Sequence, residues 1–422
     1  MNKLLLRLCL AWPLAICAGI QAAHGAGEDN GPLRINGFGT IGLTHIQAPE
    51  GWYFRRDAAQ YPSDNQTSWD TDSRLGLQAH YEVSPRLELV SQVVLKRRLH
   101  DSKPLESLEW LFASYKPTGD VTLRVGRTNP DMFLLSDYRN VGVAYPWVRP
   151  NLEIYSALPL YTIDGADASY VWTHADTRWR AKTFVGNVNA RATSAYSPEQ
   201  LNFKLKPGAG LILTRESGGL LIRSIVGGAR MSVDVSERAR AAGEVLRQLR
   251  ASGDPTVAGQ ASELYRRLGL ETDTALFAEV GVSYELEGWL WSAEYAKVRL
   301  STGTRNAQSA YVSVGRRLGD FTLFGMMGRS VSDLPIQETP DWSGIGPQAQ
   351  NLANSIVTSI NSSRARQTSL TLGTRWDFHQ QMALKVQWDH FWISRAGSSL
   401  WVGSSLEPAR PNVFSASLDF TF

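Results

Sequence analysis

The chain has 422 residues, 43% hydrophobic, 10% aromatic and 20% charged, which excludes a disordered chain and a fibrous repeat. Forty-three Lys and Arg against 40 Asp and Glu give a formal charge of +3, too balanced for a protein that holds nucleic acid through phosphate contacts. Mean hydropathy is -0.22, and beyond the amino end no stretch approaches the ~18 apolar residues of a transmembrane helix. A membrane barrel stays open, since it also averages to mildly polar.

The first segment reads as a cleavable secretory signal over residues 1–25. Lys3 and Arg7 precede an apolar run from Leu8 to Ile20, and the small-residue exit Ala22-Ala23-His24-Gly25-Ala26 follows. Cleavage is expected after Gly25. A lipoprotein signal acylated at Cys17 is disfavoured by Ile16, because such a site needs a small residue there. Cleavage removes two positive charges. It also removes Cys9 and Cys17, the only cysteines. An exported chain without a disulfide needs another closure, and a barrel without edges supplies one.

From Leu33 onward the pattern is period two. Leu75, Leu77, Ala79, Tyr81 and Val83 alternate with Arg74, Gly76, Gln78, His80 and Glu82. Thr368 to Phe378 and Phe414 to Phe422 behave the same way, as half-buried strands do. Tight turns are predicted at Ser84-Pro85-Arg86, Thr118-Gly119-Asp120, Ala175-Asp176-Thr177, Ser217-Gly218-Gly219, Glu287-Gly288, Gly319-Asp320 and His379-Gln380-Gln381. The alternate connections are mostly long: 47–70, 129–158, 232–273, 332–364 and 396–410. Short turns on one side and long loops on the other give an all-β transmembrane antiparallel barrel of about 16 strands, filling residues 26–422. A soluble sandwich or propeller fits less well, because it would not place Asp, Arg, Gln and Lys regularly on its enclosed face. Tryptophans near strand ends suit interfacial girdles.

Two long loops carry helical spacing. Residues 232–273 hold one segment opened by Ser236 and a second opened by Asp254-Pro255 and closed by Gly269; residues 331–364 hold a shorter one over 347–360. Both are expected on the outer side, as surface decoration or as a lid.

Catalysis finds little support. No His-Glu-x-x-His spacing and no Gly-x-Ser-x-Gly elbow occurs, so no catalytic residue, metal ligand or cofactor is assigned. The stretch from Gly126-Arg127 through Asp131, Asp137, Arg139 and Arg149 is more informative, being an aromatic-rich, charge-bearing loop after the fifth strand. Together with Gly37-Phe38-Gly39-Thr40-Ile41-Gly42-Leu43 and the closing Leu418, Phe420 and Phe422, it resembles the Gram-negative outer-membrane porin superfamily. The resemblance implies an inward-folded third loop at 128–158, which narrows the channel. It also implies a carboxyl-terminal signal for the barrel-assembly machinery at Leu418, Phe420 and Phe422, and a homotrimer in outer-membrane lipid. The helical loops depart from it.

Strand parity points Arg74, Arg124, Arg127, Arg180 and Lys182 into the lumen, the last four without an acidic partner on their face. Facing a loop with Asp131, Asp137, Arg139 and Arg149, they would line a constriction that favours anions, or pin the loop to the wall. The expected function is passive diffusion of small hydrophilic, possibly anionic, solutes through the outer membrane. The alternatives are a substrate-dedicated channel gated by the helical loops, or a plugged barrel with an enzymatic or surface-binding role.

Overall fold

A computed structural model of the chain describes residues 31–63, 66–99, 102–156, 161–193, 200–234, 236–269, 271–301, 306–398, 400–403 and 405–422. The signal at 1–25, its cleavage site and Leu158 lie outside these residues.

Sixteen long strands form the sheet: β1 Leu33–Gln47, β2 Arg74–Ser84, β3 Leu87–Lys96, β4 Leu108–Tyr115, β5 Val121–Thr128, β6 Ile163–His174, β7 Thr177–Thr193 and β8 Gln200–Ser217 make the first half. The second half is β9 Leu220–Asp234, β10 Asp273–Leu286, β11 Trp289–Leu300, β12 Ala307–Leu318, β13 Phe321–Ser332, β14 Ala365–His379, β15 Met382–Ser398 and β16 Asn412–Thr421. Each pairs antiparallel with its neighbour in sequence, and β1 pairs with β16 from Phe38↔Thr421 to Gln47↔Asn412. The sheet therefore closes without an edge, so its ladder hydrogen bonds are made within the wall. All seven tight turns fall where the turn residues place them. Gly218 and Gly219 turn at φ +54° and +80°, a region in which a side chain would be strained.

The outer face carries an apolar belt. Leu211, Val226, Leu276, Val312 and Leu323, on β8, β9, β10, β12 and β13, are all more than half exposed, the pattern of a lipid-facing wall. At the short-turn end the belt finishes in stacked outward rings: Trp172 on Trp179 at 6.0 Å, Trp289 on Trp291 at 6.0 Å and Phe321 on Trp376 at 5.8 Å. Such rings suit the headgroup level, where one side is apolar and the other wet.

On the long-loop side, helix α1 (Leu152–Tyr155) is a single turn within the third loop. Helices α2 (Glu237–Arg250) and α3 (Pro255–Leu268) follow β9, and α4 (Pro347–Ser362) follows β13. Ser236 caps α2 by accepting from the Ala239 amide, Asp254 caps α3, and Gly269 ends α3 in the left-handed region at φ 64°. Leu246, Leu264, Trp342, Ile356 and Ile360 bury together, so the two helical loops share one small core of their own above the barrel.

Candidate functional site: the third loop across the lumen

The third long loop, described over residues 129–156 and 161–162, turns inward and is buried for most of that length. Its anchors go round the whole wall. Asp131 receives Lys182 Nζ at 2.8 Å and Arg180 Nη2 at 2.9 Å, both from β7. Arg223 of β9 donates to the Phe133 carbonyl at 2.9 Å. Glu294 of β11 accepts from the Leu134 amide at 3.0 Å and from the Tyr155 hydroxyl at 2.5 Å. Trp147 Nε1 donates to Ser313 of β12 at 3.1 Å, and Glu153 accepts from Gln367 and Ser369 of β14 at 2.6 and 2.9 Å. Lys385 of β15 donates to the Gly142 and Trp147 carbonyls at 2.6 and 2.7 Å. Arg74 of β2 donates to the Asn140 carbonyl at 2.6 Å, and Arg139 meets Glu109 of β4 at 3.1 Å.

Eight strands apart is half-way round a sixteen-stranded barrel. Lys182 on β7 and Lys385 on β15 are such a pair, as are Glu109 on β4 and Ser313 on β12. The loop is thus bonded to opposite walls along two crossing diameters. Its approach to β16 is close: a Cβ on Gly142 would overlap the Asp419 carboxylate. Arg149 is the deepest pin, with Nη2 on Asp72 at 2.6 Å, Nη1 on Asp389 at 2.6 Å and a further bond to Ser415. Burial alone would raise the Asp72 carboxyl, but the Arg149 guanidinium overrides it and holds it at about 2. Likewise burial works upward on Asp131, yet Lys182 and then its neighbours drive it well below the usual range. Asp137 goes the other way: burial and the adjacent Asp131 charge push it up to about 7.

Two expectations from strand parity fail. Arg127 does not face the lumen. It lies on the outer face opposite Asp164 of β6, bonded at 2.7 Å, since Gly126 and Arg124 take the inward parity. Nor do the basic residues lack acidic partners: Arg124 sits on Asp167 of β6 at 2.8 Å, and Lys182 reaches both Asp131 and Asp167. Asp167 lies directly across the β5–β6 register from Arg124, so the alternation of β6 could have revealed it. Arg74, Arg124, Arg180, Lys182, Asp131, Asp137, Arg139 and Arg149 are brought together with the loop. Leu418, Phe420 and Phe422 share the lipid-side parity of β16, where the Phe420 and Phe422 rings occupy the space over Gly39 and Gly37 of β1.

The closed barrel, its apolar outer belt and its third loop turned into the lumen define a sixteen-stranded transmembrane antiparallel β-barrel of porin-type fold. Solved structures agree on the fold. OmpF of Salmonella typhi in complex with daunomycin matches at TM-score 0.51 and 12% identity, over 93% of this chain and 98% of that one. A loop L8 deletion mutant of OmpT, an outer membrane protein of Vibrio cholerae, matches at 0.51 and 12%, over 93% and 100%. OmpT of Vibrio cholerae expressed in the outer membrane matches at 0.50 and 13%, over 93% and 98%. No protein-family model matches the sequence, and no curated protein sequence matches it significantly.

Proposed function

We propose that this protein is a non-enzymatic outer-membrane channel that passes small solutes down their gradient, through a waist set by the third loop at 128–158. The observation that carries this reading is the anchoring of that loop to opposite walls at the level of Lys182 and Lys385. A loop so fixed leaves side passages rather than one wide pore, so the channel is restrictive. Arg74, Arg124, Arg180, Lys182, Asp131, Asp137, Arg139 and Arg149 form the waist. Since these cations are matched by carboxylates or carbonyls, it discriminates by size and fit more than by ion sign. Leu418, Phe420 and Phe422 are taken as the signal for the barrel-assembly machinery, residues 1–25 as the secretory signal, and the functional unit as a homotrimer.

A second reading, a sealed barrel with a binding role, draws on the same crossing contacts. The enzymatic alternative has less support: His80 bonds Glu88 at 2.7 Å and His390 bonds Asn412 at 2.8 Å, while His45, which meets the Thr67 hydroxyl at 2.8 Å, does so at an exposed position rather than in a cleft. Swelling of proteoliposomes in sugars of graded size distinguishes the readings. A channel of this kind gives swelling that falls steeply from pentose to disaccharide. Swelling no faster than protein-free liposomes in every sugar would instead favour the sealed barrel.

A further inference from the structure

Above the third loop, on the long-loop side, the barrel encloses a cavity of about 380 Å³. That volume is in the range of sites that hold small organic molecules, roughly 300–1,000 Å³. Its wall is the inner face of β7 to β13, and there the inward positions are apolar. Phe184, Val188, Phe203, Ile225, Phe277 and Val298 line it, while Met132, Phe133 and Ile154 of the third loop form the floor. Ala239 of α2, Leu268 of α3 and three serines of the α4 loop complete the roof.

The polarity of the strands is inverted here. On β7 the outward residues Asn187 and Asn189 are exposed and polar, while the inward Val188 and Ala192 are buried. On β11, Lys297 and Arg299 point out while Val298 and Leu300 point in. A water-filled lumen would show the opposite. Some of these side chains are covered by the third loop, but Phe203, Ala229, Met231 and Val298 keep residual exposure toward the cavity. Apolar surface left facing a partly enclosed space is stabilised by an apolar occupant.

The ionisable groups among the described lining, Arg55 and Glu153, are engaged with protein: Arg55 donates to the Thr193 carbonyl at 2.7 Å, and Glu153 accepts from Asn151, Gln367 and Ser369. Neither is free to hold a charged solute. One sector differs, where Ser309 and Ser330 lie 2.9 Å apart near Ser332 and Ser363. It offers hydroxyls to one polar edge of a ligand.

We infer that this chamber is a binding site for a compact, uncharged, mainly apolar molecule with a single hydroxyl or carbonyl edge, of the size of a substituted bicyclic aromatic. The inference rests on the channel reading: the chamber is the outer station of the solute path and names the class of solute.

The test uses 1-naphthol and the full protein in lipid nanodiscs, measured by equilibrium dialysis against empty nanodiscs. The expected result is one saturable site per chain above lipid partitioning, not displaced by glucose. Ala229→Trp and Val298→Trp, which fill the chamber, each weaken it about tenfold or more. Val226→Trp, on the lipid face of β9, leaves it unchanged; all three are accepted only if they keep the heat-modifiable gel mobility of a folded barrel. Absence of a saturable component, or one that survives both filling substitutions, overturns the inference. Ion conductance of the same preparations separates the two claims. Conductance without naphthol binding removes the chamber assignment alone, whereas saturable binding without conductance sustains the chamber and removes the channel.

Discussion

At the scale of single residues, Arg149 shows how much of the loop's position depends on buried charge. Its guanidinium faces Asp72 and Asp389 in the lumen, where removing one partner leaves the others uncompensated. Arg149→Met is therefore expected to cost on the order of 3–5 kcal/mol, read as a lower urea midpoint of the refolded barrel. Asp137 allows a test with a defined sign. Its carboxyl is raised to about 7 in the folded protein, so the native state binds its proton more tightly than the unfolded chain does. That contribution is neutral below the unfolded value of about 4, costs stability progressively from there to about 7, and is constant above. Asp137→Asn should thus match the wild type at pH 4 and exceed it at pH 8. Equal stability of the two proteins at pH 8 would show that Asp131 and burial do not disfavour the ionised Asp137 carboxyl. Gly142 adds a steric case: Gly142→Ala should shift the loop away from β16 and loosen it, seen as faster amide exchange over 140–148.

At the scale of elements, what the sequence disclosed depended on whether one signal was enough. Turns such as Ser217-Gly218-Gly219 are legible because only certain residues accept the backbone they need. Strands such as β14 are legible because one face, from Leu370 to Phe378, is largely apolar and meets lipid while the other is polar. Asp254 and Gly269 mark α3 for the same local reason. Arg127 was misplaced because it was given the inward facing of Arg124, although a separation of three positions puts the two on opposite faces. The chamber stayed hidden for a subtler reason. Past Gly186, β7 leaves the lipid, its outer face turns polar and its inner face apolar, so period two persists while its meaning reverses. Opposing anchors such as Lys182 and Lys385 are 203 positions apart and could be paired only by closing the barrel. The helical loops give a prediction at this scale. Leu264 is fully buried in a core separate from the barrel wall, so Leu264→Ala should cost about 2–5 kcal/mol locally. Exchange should quicken in α2, α3 and α4 while the strand amides keep their protection.

For the whole molecule, lipid sets the balance between faces. Leu211 and Val226 stand on the belt, and an arginine there should cost about 2–4 kcal/mol near the midplane. Closure of β1 on β16 then makes the wall rigid enough for the third loop to be held from every side. The account stands or falls on that loop setting the flow. Its most direct test compares single-channel conductance in planar bilayers for the intact protein and for a variant with 132–148 replaced by a short Gly-Ser linker. The expected result is a small steady conductance for the intact protein and a severalfold larger one for the variant. Equal conductance in both, or none in either, would contradict a channel governed by its third loop.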